Sequence, residues 1–119
     1  MNMKLSLFCA YTGFSKKDSP IWSDVYDALH QLRTNTGSVN IVDVDNKKTL
    51  SIHSDGMHFL LSLIDGKDDK TKIKSIQSAC FERKVSFVPP VFLSCSHDLT
   101  SDFEFVTEVS RTFFITGQV

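Results

Sequence analysis

The 119-residue chain has the length of one domain, and its 41% hydrophobic and 23% charged residues place it in the globular range, away from disorder. Thirteen Lys and Arg against 14 Asp and Glu leave a formal net charge of −1, which excludes the basic footprint of a general nucleic-acid-binding domain. Cys9, Cys80 and Cys95 are odd in number and far apart, so neither a secreted disulfide framework nor a zinc cluster is expected, and the thiols should be reduced and dispensable.

Residues 4–11 are apolar enough for a first strand, broken by Gly13 and Lys16-Lys17-Asp18. The run Leu5–Ala10 is too short for a secretory core, and no segment reaches the roughly 20 apolar residues of a membrane span. A cytoplasmic protein is expected. Ser19-Pro20 reads as a helix start, with a hydroxyl cap and proline at the first helical position. Trp22, Val25, Leu29 and Leu32 then fall on one face, with Ala28 beside them, and Asn35-Thr36-Gly37 supplies the stop.

The middle third reads as a β-meander: Val39–Val44, a turn at Asp45-Asn46-Lys47-Lys48, Thr49–His53, and a strand from Phe59. Asp55-Gly56 predicts a two-residue type I′ turn, which pairs Ser54 with Met57, His53 with His58 and Ile52 with Phe59. That register sets Leu50, Ile52, Phe59 and Leu61 on one face and Thr49, Ser51, His53, His58 and Ser62 on the other. Leu60 and Ile64 make the second face partly apolar, as if something covers it. Beyond a polar loop at 65–70, weaker strand signals follow at 71–80, at Val85-Ser86-Phe87 before Pro89-Pro90, and at Val91, Leu93 and Cys95. Ser101-Asp-Phe-Glu104 reads as a capping box, with Phe105, Val106, Val109 and Phe113 as an apolar stripe and Gly117 as the stop. The fold expected for 1–119 is therefore one α+β domain: an antiparallel meander sheet with a helix near 20–34 and a C-terminal amphipathic helix near 101–116 packed on it.

No catalytic apparatus emerges from these elements. Cys95-Ser96-His97-Asp98 holds nucleophile, base and acid types, but neighbours on an extended chain point to opposite faces, and a polar lead-in to the last helix accounts for them. His53 and His58 are two histidines where a structural zinc site needs four ligands. The five glycines, at 13, 37, 56, 66 and 117, are scattered singly and form no phosphate loop. Neither metal nor cofactor is expected.

Two segments resemble immunity protein family one, small bacterial proteins encoded beside polymorphic and contact-dependent inhibition toxins. The first is Val25–Ile64, with Ala28-Leu29-His30-Gln31-Leu32 before Ser38-Val39-Asn40-Ile41-Val42-Asp43, Thr49-Leu50-Ser51-Ile52, Asp55-Gly56 and Phe59-Leu60-Leu61. The second is the helix Phe103–Gly117, ending Phe113-Phe114-Ile115-Thr116-Gly117-Gln118, since members commonly close on an aromatic-x-x-Thr-Gly helix end. Together the two cover about half of the chain. The resemblance implies a non-enzymatic protein that binds one cognate toxin C-terminal domain as a heterodimer, is itself a monomer, and blocks the toxin's active site or its activation.

Acids that would complement a basic toxin cleft are densest at Asp43 and Asp45, in the first meander turn, and at Asp65, Asp68 and Asp69 in the loop after the third strand. These five are the candidate toxin-binding residues. Two other readings stay open on the sequence: a small secretion chaperone or adaptor, which dimerisation would favour, and a cysteine hydrolase using Cys95 with His97 or His58.

Overall fold

The computed structural model describes residues 2–10, 12–68, 70–76 and 99–118. In chain order the elements are β1 (Met3–Cys9), β2 (Gly13–Asp18), α1 (Trp22–Gln31), β3 (Thr36–Asp43), β4 (Lys48–Asp55), β5 (Phe59–Asp68), β6 (Lys70–Ile76), β7 (Leu99–Thr100) and α2 (Phe103–Thr116). Among the described residues the strands form one sheet of order β2-β1-β3-β4-β5-β6, with β7 also pairing with β5. Every pair is antiparallel. This is the expected α+β architecture, a sheet with an N-terminal-half helix and a C-terminal helix packed on it.

Strand alternation sends one set of side chains towards the helices. β1 buries Met3, Leu5, Leu7 and Cys9 there, β3 Val39 and Ile41, β4 Leu50 and Ile52, and β5 Phe59 and Leu61. The helices close over them with Val25, Ala28, Leu29 and Leu32 from the first helical segment and Val106 and Phe113 from α2. Trp22 and Val109, expected in the core, sit at its margin, half-buried against it. Trp22 packs instead between Tyr26 and Phe114, with ring centroids 6.3 and 6.1 Å away.

Several local expectations are corrected. Gly13–Asp18 does not simply end the first strand; it returns as β2, pairing Cys9 with Gly13 and Lys4 with Asp18. Ser19-Pro20 is not the helix cap. Ser19 takes φ +52 and turns the chain, and Ile21 is the N-cap residue. Its amide donates to Asp24 Oδ2 at 2.9 Å, so the first turn is closed by a carboxylate reaching back. At α2 the cap is Asp102, one residue after the expected Ser101, because its Oδ1 accepts from Phe105 N at 3.1 Å. Gly117 ends that helix in the left-handed region at φ +72, as expected.

Gly37 is not a helix stop but part of β3, where a Cβ would run into the Phe8 carbonyl and crowd Leu32. Glycine is required by that close approach of β3 to β1 and to the end of α1.

The Asp55-Gly56 hairpin keeps the expected faces but shifts register by two residues, pairing Ser54 with Phe59, Ile52 with Leu61 and Leu50 with Leu63. An even shift leaves every side chain on its own face. The cause is Asp55, whose Oδ1 accepts from the amides of Met57 (2.8 Å) and His58 (2.7 Å) and so holds open a four-residue loop. His58 consequently lies in the loop, and Leu60 takes the place opposite His53. The strand signal at 71–80 corresponds to β6 as far as Ile76. Residues 77–80, the strand signals at 85–87 and 91–95, and Cys80, Cys95 and His97 lie outside the described residues.

Candidate protein-binding surface

The face of the sheet away from the helices is built from the even-numbered residues of β1, β2 and β3. Cross-strand pairing lays Lys16, Ser6, Asn40, Ser51 and Ser62 in one polar row, and Phe14, Phe8, Ser38, His53 and Leu60 in the next. Burial rises along the second row, from Phe14 at 62% and Phe8 at 48% exposed to Leu60 at 1%. Phe8 and Phe14 are directly opposite each other, so two large aromatic side chains stand together in solvent at one end of this face. The Lys16 ammonium lies 5.5 Å from the centre of the Phe14 ring.

In the middle of the same face, His53 Nε2 and Ser51 Oγ are 3.0 Å apart. Burial of His53 disfavours its charged form and holds its pKa below 6.5. The expected cross-strand histidine pair does not form, because His58 sits beside Asp55, its Nδ1 3.6 Å from Oδ2. Among the described residues no group of three or more His, Cys, Asp or Glu converges to hold a metal.

β2 is an edge strand, and all six of its residues are exposed. On the helix side it overhangs a groove of about 260 Å³ whose floor is Leu5, Leu7 and Ala28 and whose rim includes Lys17, Asp24, Asp27 and Gln31. Lys17 Nζ is 2.9 Å from Asp24 Oδ1. The Ile21 amide and this ammonium both stabilise the Asp24 carboxylate, the amide more strongly, and lower its pKa. Sequence reasoning missed β2 because only Phe14 in it is strongly apolar and no buried face imposes alternation. The signal that was present is the short glycine-containing link after the first strand, which is hairpin spacing.

Of the acids expected to bind a partner, Asp43, Asp45 and Asp65 stand at one end of the sheet, since the backbone register sets Asp43 opposite Lys48 and Lys48 opposite Asp65, with Asp45 in the turn between Asp43 and Lys48. Asp43 is fully buried, and its carboxylate accepts from Asn46 Nδ2 at 2.8 Å and from the Asn46 amide at 3.4 Å, so it shapes the turn. Asp45 is exposed, and its Oδ2 accepts from the Asn2 amide at 3.1 Å. Asp65 and Asp68 belong to β5 rather than to a loop, and the backbone register sets Asp65 opposite Lys48 and Lys72 and Asp68 opposite Lys70. Asp69 lies outside the described residues.

Residues 7–119 match a family of unknown function, DUF6911. The chain belongs to that family. Comparison with curated proteins finds no match. The fold of this DUF6911 member is similar to that in a crystal structure of a hypothetical protein from Neisseria gonorrhoeae, with a TM-score of 0.74 over 98% of this chain and 89% of the other. At 8% identity the likeness is one of fold. No helix among the described residues is long and apolar enough to cross a membrane.

Proposed function

We propose that this protein is a binding module of the immunity type, which sequesters a cognate toxin domain and carries out no chemistry of its own. The observation that supports this reading best is the pair Phe8 and Phe14, side by side and largely exposed on a rigid sheet. Exposed aromatic side chains on a fixed scaffold are what a protein interface uses as anchors, and they lose most of their energetic penalty when a partner covers them. The sequence resemblance of Val25–Ile64 and Phe103–Gly117 to immunity protein family one supplies the class of partner. In that reading the exposed Asp45 adds to encounter and partner choice more than to affinity.

The test is to look for a toxin domain encoded beside this gene and to co-express the two. Growth rescue, and a one-to-one complex that Phe8→Ser with Phe14→Ser weakens, would bear the proposal out. Unrelieved toxicity with both proteins folded would overturn it.

A further inference from the structure

The free edge of β2 has an addressable chemistry. The Ala10 amide donates to Thr36 O at 2.9 Å and the Val44 amide to Asn2 O at 2.9 Å, so the even-numbered residues of β1 bond towards β3. By alternation its odd-numbered residues, Leu5 and Leu7, bond towards Lys17 and Ser15 of β2. The N–H and C=O groups of Phe14 and Lys16 therefore point out of the sheet, into solvent. From these observations we propose that β2 accepts an extended strand of a partner protein, one that alternates acidic and apolar side chains.

Charge and shape select that pattern. On the outer face Lys16 has the Phe14 ring for company and, among the described residues, makes no ion pair. A carboxylate on the added strand completes it. On the helix side Lys17 is already matched by Asp24, and beneath it lies the apolar floor of Leu5, Leu7 and Ala28. Alternate side chains of the added strand enter that groove, where an aliphatic group is preferred to a charged one. Main-chain bonds at the edge supply affinity, and the two side-chain rows supply selection. Paired lysines on an edge also discourage a second copy of this chain from docking there.

This inference deepens the immunity reading by naming the partner's recognition element, and its test runs without the toxin. A capped peptide of alternating valine and glutamate is titrated into the full chain while amide hydrogen exchange is followed; a valine–lysine peptide is the control. The acidic peptide should slow exchange at Phe14 and Lys16 by about ten-fold or more, and the basic one should not. Lys16→Pro deletes an outward N–H that β1 does not use, a place where edge strands tolerate proline, and should abolish the protection with an unchanged circular dichroism spectrum. Lys16→Glu should reverse the preference between the two peptides, which holds the proposal to account if the proline variant misfolds. Equal protection by both peptides, no slowing with the acidic one, or concentration-dependent self-association through β2 would each overturn the assignment. A chain that neutralises its toxin with Lys16→Pro in place loses the edge assignment alone. One that binds the acidic peptide but rescues no toxin loses only the immunity reading.

Discussion

Ser54 ties the end of α1 to the β4–β5 loop, and removing its hydroxyl tests the loop register directly. The residue is 1% exposed; its Oγ donates to Leu32 O at 2.7 Å and accepts from the Gly56 amide at 3.0 Å. Leu32 is itself fully buried, so Ser54→Ala leaves its carbonyl without that donor in a place water does not reach. An orphaned buried backbone group costs about 1–3 kcal/mol. The Gly56 amide belongs to a partly exposed residue and can recruit water, which adds little, so the expected loss is about 2 kcal/mol. With an unfolding entropy of roughly 2.1 cal/mol/K per residue over 119 residues, that loss lowers Tm by about 8 °C. Urea and thermal unfolding followed by circular dichroism measure both quantities, with Ser15→Ala on the exposed β2 as a control expected to stay within about 0.5 kcal/mol. A loss below about 0.5 kcal/mol for Ser54→Ala would refute the four-residue loop and return the hairpin to a two-residue turn.

Core polarity is checked by Phe113→Ala and Phe59→Ala, which should each cost about 3–5 kcal/mol, since both rings are buried between sheet and helices. Losses below about 1 kcal/mol at both would mean the helix-facing side is assigned the wrong way round. His53 gives the acid dependence a sign. Burial holds its folded pKa below 6.5, so the unfolded chain takes up the proton first; the fold keeps its full stability above pH 6.5 and loses some as pH falls through the folded value. His53→Gln should flatten that limb of the stability–pH curve, and an unchanged slope would refute the assignment.

Local sequence determined the parity of the meander and the position of both helices. Leu50, Ile52, Phe59 and Leu61 share a face in any register that moves by an even number of residues, so their alternation alone assigned them to the core. Val25, Leu29 and Leu32, and likewise Val106 and Phe113, announced their buried faces by helical spacing, a property of the chain before it packs. What the sequence could not carry was anything decided by distant partners. The hairpin register depended on Asp55 turning its carboxylate onto two loop amides, and on Ser54 reaching Leu32, 22 residues away. Asp43 reads as a turn acid until the fold buries it over Asn46, and Gly37 reads as a helix stop until Phe8 is brought against it. The edge strand β2 is the clearest case. Its residues bury no face, so hydrophobic patterning gave it no signature, and only pairing with β1 made it a strand. The surface of greatest functional interest was thus the part least legible in advance, because an exposed edge is defined by what the rest of the sheet leaves unpaired.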